Sequence, residues 1–197
     1  MDARVRSGLI VAGIFILCSS LSCQTGPTVV IHESESLTVV LRELPVGYPY
    51  LEPSHASYPV PSNDALRVLE SLNYTTASLM PFLARQPRRV FTTHQAELLA
   101  PELSKALGEV LSPQVVTFSV VDEVKPDRGT KGFAFVRNDE LHLIIEDLRK
   151  PWYEGEQKPY QQDVSQWELL PVDRQRHYTT RPGGKGVVTN WIITPLR

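Results

Sequence analysis

The feature that most constrains this chain is a change of hydrophobic period at Ser112-Pro113. Before it, Leu99, Leu103, Ala106, Leu107 and Val110 recur at three- and four-residue intervals, the stripe of an amphipathic helix. After it, Val116, Phe118 and Val120 alternate with Thr117, Ser119 and Val121, the period of a half-buried strand. Proline restricts the residue before it to extended backbone, so the helix must end there. The chain beyond Pro113 is a run of strands broken by turn signals. Lys125–Gly129 and Arg181–Lys185 are turn-forming, and Asn138-Asp139 is a two-residue hairpin turn between Phe133/Phe135 and Leu141–Leu148. Gln166–Leu170, Arg174–Thr180 and Gly186–Thr194 read as further strands. Helices first and hairpins afterwards predict an α+β fold, mainly antiparallel sheet with two or three helices.

The earlier half supplies the helices and one strand pair. Thr28–Ile31 and Leu37–Leu44 are apolar and flank a polar link, as in a hairpin. Residues 45–61 hold five prolines and three tyrosines and read as an irregular strap over the core. Ser62 or Asn63 can cap a short helix that runs to about Leu72. Thr92-Thr93-His94-Gln95 fits a capping box, with Phe91 and Ala96 placed as a hydrophobic staple. Pro101 inside the second helix predicts a kink or a restart.

The amino terminus reads as an address. Arg4 and Arg6 precede the apolar run Gly8–Cys18, and Ser19, Ser20, Leu21, Ser22 and Cys23 come next. A charged start, a short apolar stretch and a small-residue exit are the parts of a secretory signal. Eleven helical residues span about 16 Å, against a bilayer core of about 30 Å, so the run is too short to cross as an ordinary transmembrane helix. Ser20-Leu21-Ser22-Cys23 resembles the lipobox of bacterial lipoproteins, with Ser20 where that class usually has leucine. The resemblance covers residues 1–23. It implies cleavage before Cys23 and lipidation of Cys23. It also implies a membrane anchor, and Gln24 in place of a retaining aspartate favours the outer membrane, facing the periplasm. The organisation expected is a signal peptide over 1–22, a lipidated start and short tether over 23–27, and a single periplasmic domain over 28–197.

Composition bounds the function. The chain has 197 residues, 42% hydrophobic and 21% charged, with net charge −2. Loss of Asp2, Arg4 and Arg6 with the signal makes it one unit more negative, which disfavours a nucleic-acid partner. Only Cys18 and Cys23 are cysteines, so lipidation would leave the domain without a thiol for catalysis or metal binding.

Three motifs invite sharper readings. Lys131-Gly132-Phe133-Ala134-Phe135-Val136-Arg137 resembles the central-strand signature of RNA-recognition motifs, except that Asn138 stands in the last aromatic place. The strand-like Leu141–Ile145 comes where that family needs a helix, so one face of a hairpin accounts for both phenylalanines. Gly183-Gly184-Lys185-Gly186 lacks the spacing of a phosphate loop and reads as a turn. His32, His55, His94, His142 and His177 are far apart in sequence, and no metal or cofactor is expected. His142 alternates with apolar neighbours and reads as a sheet-face residue.

Six of the tryptophans and tyrosines lie after residue 150. Trp152, Tyr153 and Tyr160 flank a polar stretch and form the candidate contact patch. No catalytic residue is identified. The expectation is a cell-envelope lipoprotein with a non-catalytic binding or assembly role and an envelope protein as partner. A periplasmic hydrolase with a dispersed site, and an untethered secreted binding protein, are the alternatives.

Overall fold

The computed structural model describes residues 28–43, 58–76, 86–111, 113–151 and 167–197. Among these residues, ten strands and two α-helices run in the order β1 (Val29–Glu33), β2 (Leu37–Glu43), α1 (Ser62–Ser71), β3 (Asn73–Thr76), β4 (Arg88–Arg89), α2 (Thr93–Glu109), β5 (Gln114–Val121), β6 (Arg128–Arg137), β7 (Glu140–Pro151), β8 (Trp167–Leu170), β9 (Arg176–Arg181) and β10 (Lys185–Pro195). Among the described residues the expected α+β class forms, a mainly antiparallel sheet with two α-helices of the two or three expected.

A seven-stranded sheet runs β1-β2-β5-β6-β7-β10-β9, with antiparallel neighbours throughout. Its hairpins are those the turn residues dictate. Asn138 and Asp139 take φ of 53° and 58°, the left-handed pair that a two-residue turn between twisted strands requires. Gly183 and Gly184, at φ 76° and 74°, turn β9 into β10. A second, three-stranded sheet has the order β4-β3-β8. Neither β3 nor β4 is visible in the periodicity of residues 74–90.

Alternation assigns the two faces of the large sheet. Val39, Phe118, Ala134, Leu143 and Ile192 point to one side and are buried against α2, α1 and the small sheet. Leu99, Leu103, Ala106 and Leu107 of α2 are fully buried in that core, as their spacing predicts. Burying a side chain of leucine size contributes about 1.5–3 kcal/mol. The small sheet joins the same core through Tyr74 and Leu169.

Local signals behave unevenly. Thr92 is the N-cap of α2, and both bonds of its capping box with Gln95 form. The Gln95 amide also donates to the Val121 carbonyl at 2.8 Å, tying the helix start to the end of β5. Pro101 does not restart α2, which is a correction: one helix runs from Thr93 to Glu109. Pro101 and Glu97 lie on the exposed side, so the Glu97 carbonyl that loses its partner faces solvent. Neither Ser62 nor Asn63 caps α1. The N-cap is Pro61, whose carbonyl accepts from the amides of Asp64 and Ala65. Only the end of the proline-rich strap is described. There the Tyr58 amide donates to Leu107 O, and the Ser104 hydroxyl donates to Val60 O.

Both edges of the large sheet are guarded. A bulge separates Val30 from His32 in β1, and β9 carries Arg176 and Arg181. Bulges and charges on an edge strand discourage another strand from pairing with it.

Candidate functional site

The second face of the large sheet, turned away from the helices, holds a separate apolar cluster: Val115, Phe133, Phe135, Ile144, Val188, Trp191 and Ile193. Register explains its composition. Thr117, Phe133, Ile144 and Trp191 are successive cross-strand partners on β5, β6, β7 and β10. Phe135, His142 and Ile193 form the next row.

Side chains close both ends of the first row. Tyr178 of β9 stacks on Trp191 with ring centres 3.9 Å apart and planes 13° from parallel. At the other end the Arg42 guanidinium sits 5.4 Å from the Phe133 ring centre, and its Nε donates to the Thr117 hydroxyl at 3.0 Å. In the second row Phe135 stacks on the His142 imidazole at 4.7 Å. These ring faces are therefore occupied by neighbouring side chains.

His142 is the chemically distinctive residue of this face. It is buried, and Trp191 Nε1 donates to its Nδ1 at 3.2 Å. Accepting at Nδ1 leaves the proton of the neutral ring on Nε2. Burial, then the charges of Arg176 and Arg137, lower its pKa from 6.5 to about 3. A ring held neutral in this way serves as a hydrogen-bond acceptor and a stacking surface. It is a poor base at neutral pH.

Carboxylates and other histidines make structural contacts. Asp122 Oδ1 accepts from the amides of Val124 and Lys125 and shapes the turn into β6, while its Oδ2 lies 3.5 Å from Arg149. Glu123 accepts from the Thr92 hydroxyl at 2.9 Å. Glu140 pairs with Arg176 at 2.6 Å, and Asp147 with Lys150 at 3.4 Å. Asp122 and Glu123 therefore organise the corner between β5 and β6. His177 Nε2 lies 2.9 Å from Leu169 O, and His32 lies 3.6 Å from Glu102. Among the described residues, no group of three or more His, Cys, Asp or Glu is placed to hold a metal ion. Among the same residues, no helix is long and apolar enough to cross a membrane.

The sequence motifs resolve into packing. Gly132 is a packing glycine: a Cβ there would meet the Ile144 carbonyl oxygen and stand 2.6 Å from Phe118 Cζ. Phe133 and Phe135 are both buried, and β6 passes to β7 through a two-residue turn with no helix between them. Gly183 and Gly184 lie in the β9–β10 turn, and Lys185 and Gly186 open β10.

Cys23, Trp152, Tyr153, Tyr160 and His55 lie outside the described residues. Of the other late aromatics, Trp167 packs on the main core, while Tyr178 and Trp191 belong to the second face. Sequence reasoning placed His142 on a sheet face but missed its pairing with Trp191. The signal is the shared parity of the two residues, legible only once β10 is known to lie beside β7.

No protein-family model matches this chain, and neither a curated protein nor a solved structure shows significant similarity to it. The class is therefore given by the fold alone: an α+β protein whose antiparallel sheet carries buried apolar side chains on both faces.

Proposed function

We propose that this chain is a lipid-anchored protein of the bacterial cell envelope with a binding or assembly role, and that it performs no catalysis. The observation that carries the reading is the join between address and fold. The lipobox-like Ser20-Leu21-Ser22-Cys23 is separated by only five residues, 24–28, from the first strand of the large sheet. Such an arrangement suits a domain carried at a membrane surface by its first residue.

The non-catalytic part is supported by what the polar side chains already do. His142 is engaged by Trp191, Asp122 by a turn, Glu140 by Arg176 and Glu123 by Thr92. His142 is moreover held neutral by burial and the nearby arginines, which makes it a poor proton acceptor at neutral pH. The envelope partner would be a protein, with Trp152, Tyr153 and Tyr160 as its contact.

Two measurements test the reading. Cells fed an alkyne-tagged fatty acid should label the wild-type chain and not Cys23→Ser. Crosslinking in intact envelopes should recover a protein partner with the wild type that Cys23→Ser and the Trp152→Ala/Tyr153→Ala variant recover poorly. Absence of fatty-acid label overturns the anchor. Equal recovery by all three forms overturns the anchored assembly role.

A further inference from the structure

The end of the sheet where β1 begins carries exposed apolar side chains. Val29 is 45% exposed and Val30 56% exposed. Register places Leu111 at the same end, because Val29 faces Leu41, Glu43 faces Gln114, and the Gln114 amide donates to Leu111 O. Leu111 is 65% exposed, at the corner between α2 and β5.

Strand addition at this edge is discouraged by the bulge between Val30 and His32 and by the charged Glu33. The length of chain before β1 points elsewhere. Six residue steps separate Cys23 from Val29, so the two lie no more than about 22 Å apart even when fully extended. Through Leu41, Val29 is level with Val116, so five steps of β5, about 17 Å, separate its level from Val121, and the Val124 turn lies beyond. A lipid on Cys23 could bring the bilayer end-on to the Val124 turn only with the tether folded back along the sheet at close to its full length, whereas the β1 end is always within reach.

We infer that Val29, Val30 and Leu111 form a membrane-apposed corner that rests in the interfacial region of the bilayer holding the Cys23 lipid. The inference rests on the lipid-anchor reading and adds an orientation to it. Glu43 and Glu109 at this end are exposed acids, so the contact is apolar and owes little to anionic lipid. The sheet then stands with its Val124 turn and β9–β10 turn away from the membrane, free for a partner.

The test uses the chain from Cys23 onward, with a benzophenone amino acid at position 30, 111 or 124. Cys18 leaves with the signal, so Cys23 is its sole thiol and can be coupled to a maleimide-headgroup phospholipid. Vesicles of phosphatidylcholine, alone or with phosphatidylglycerol, provide the surface. Photocrosslinking to lipid should be roughly tenfold stronger at 30 and 111 than at 124, as expected for positions within about 5–10 Å of the surface against one more than about 17 Å away. The ratio should not change with phosphatidylglycerol. Equal crosslinking at all three positions, or the strongest at 124, overturns the orientation. Growth of the signal with phosphatidylglycerol overturns its apolar basis. Coupling through maleimide separates the two ideas. Cell-derived chain without lipid on Cys23 defeats the anchor reading alone, whereas uniform crosslinking of the coupled chain defeats the orientation alone.

Discussion

The indole Nε1–H of Trp191 on β10 donates to Nδ1 of His142 on β7 at 3.2 Å, on the face of the sheet away from the helices. The two residues are 49 positions apart in sequence, and the bond forms because β10 closes against β7 rather than against a sequence neighbour. It fixes a tautomer and joins two aromatic stacks, Tyr178 on Trp191 and Phe135 on His142.

Acid should weaken this face before carboxylates titrate. The folded pKa of His142, about 3, lies below its unfolded value of 6.5, so the unfolded chain binds more protons between those values. The stabilisation is fully present above pH 6.5 and falls as pH drops toward 3. One proton gives at most about 1.4 kcal/mol per pH unit, so about 2 kcal/mol is lost between about pH 6.5 and 4.5. Denaturant midpoints across that range should fall for the wild type and much less for His142→Gln, which can accept from Trp191 without titrating. Parallel curves would remove His142 from the account.

Gly132→Ala should destabilise by about 1–3 kcal/mol, since overpacking at this strand has nowhere to relax. The added methyl meets the Phe118 ring and the Ile144 carbonyl. Phe118→Leu in the same chain should recover part of the loss, which urea unfolding of the three variants would show.

Two substitutions separate the duties of the α2 cap. Thr92→Ala removes one side-chain cap and should cost about 1 kcal/mol. Gln95→Ala also removes the bond to Val121 O and leaves a strand-end carbonyl unmet, so its loss should be larger. Chemical denaturation of both variants checks the order, and an equal loss would deny Gln95 its second role.

Much of this fold is legible in the residues. Helix period up to Ala106-Leu107 and strand period from Val116 onward give α2 and β5, and Asn138-Asp139 marks the β6–β7 turn. The small sheet is not legible, because Asn73–Thr76 and Arg88–Arg89 are too short to display a period and owe their pairing to tertiary contact. Pro101 misleads about a restart for a related reason. Its cost depends on where the orphaned carbonyl points, and the packing of α2 turns that side to solvent. The second face escapes for want of topology: alternation puts His142 and Trp191 on sheet faces but cannot say that their strands are neighbours. The chemistry expected at Cys23 and at Trp152, Tyr153 and Tyr160 is read from residue type alone.

The most direct test of the central claim is the intact mass of the amino-terminal peptide of the protein purified from cell envelopes. A lipid-anchored chain begins at Cys23 and carries a thioether-linked diacylglyceryl group, with mass to match, and Cys23→Ser lacks both the cleavage and the added mass. A chain that begins elsewhere, or that begins at Cys23 with a free thiol, contradicts the claim.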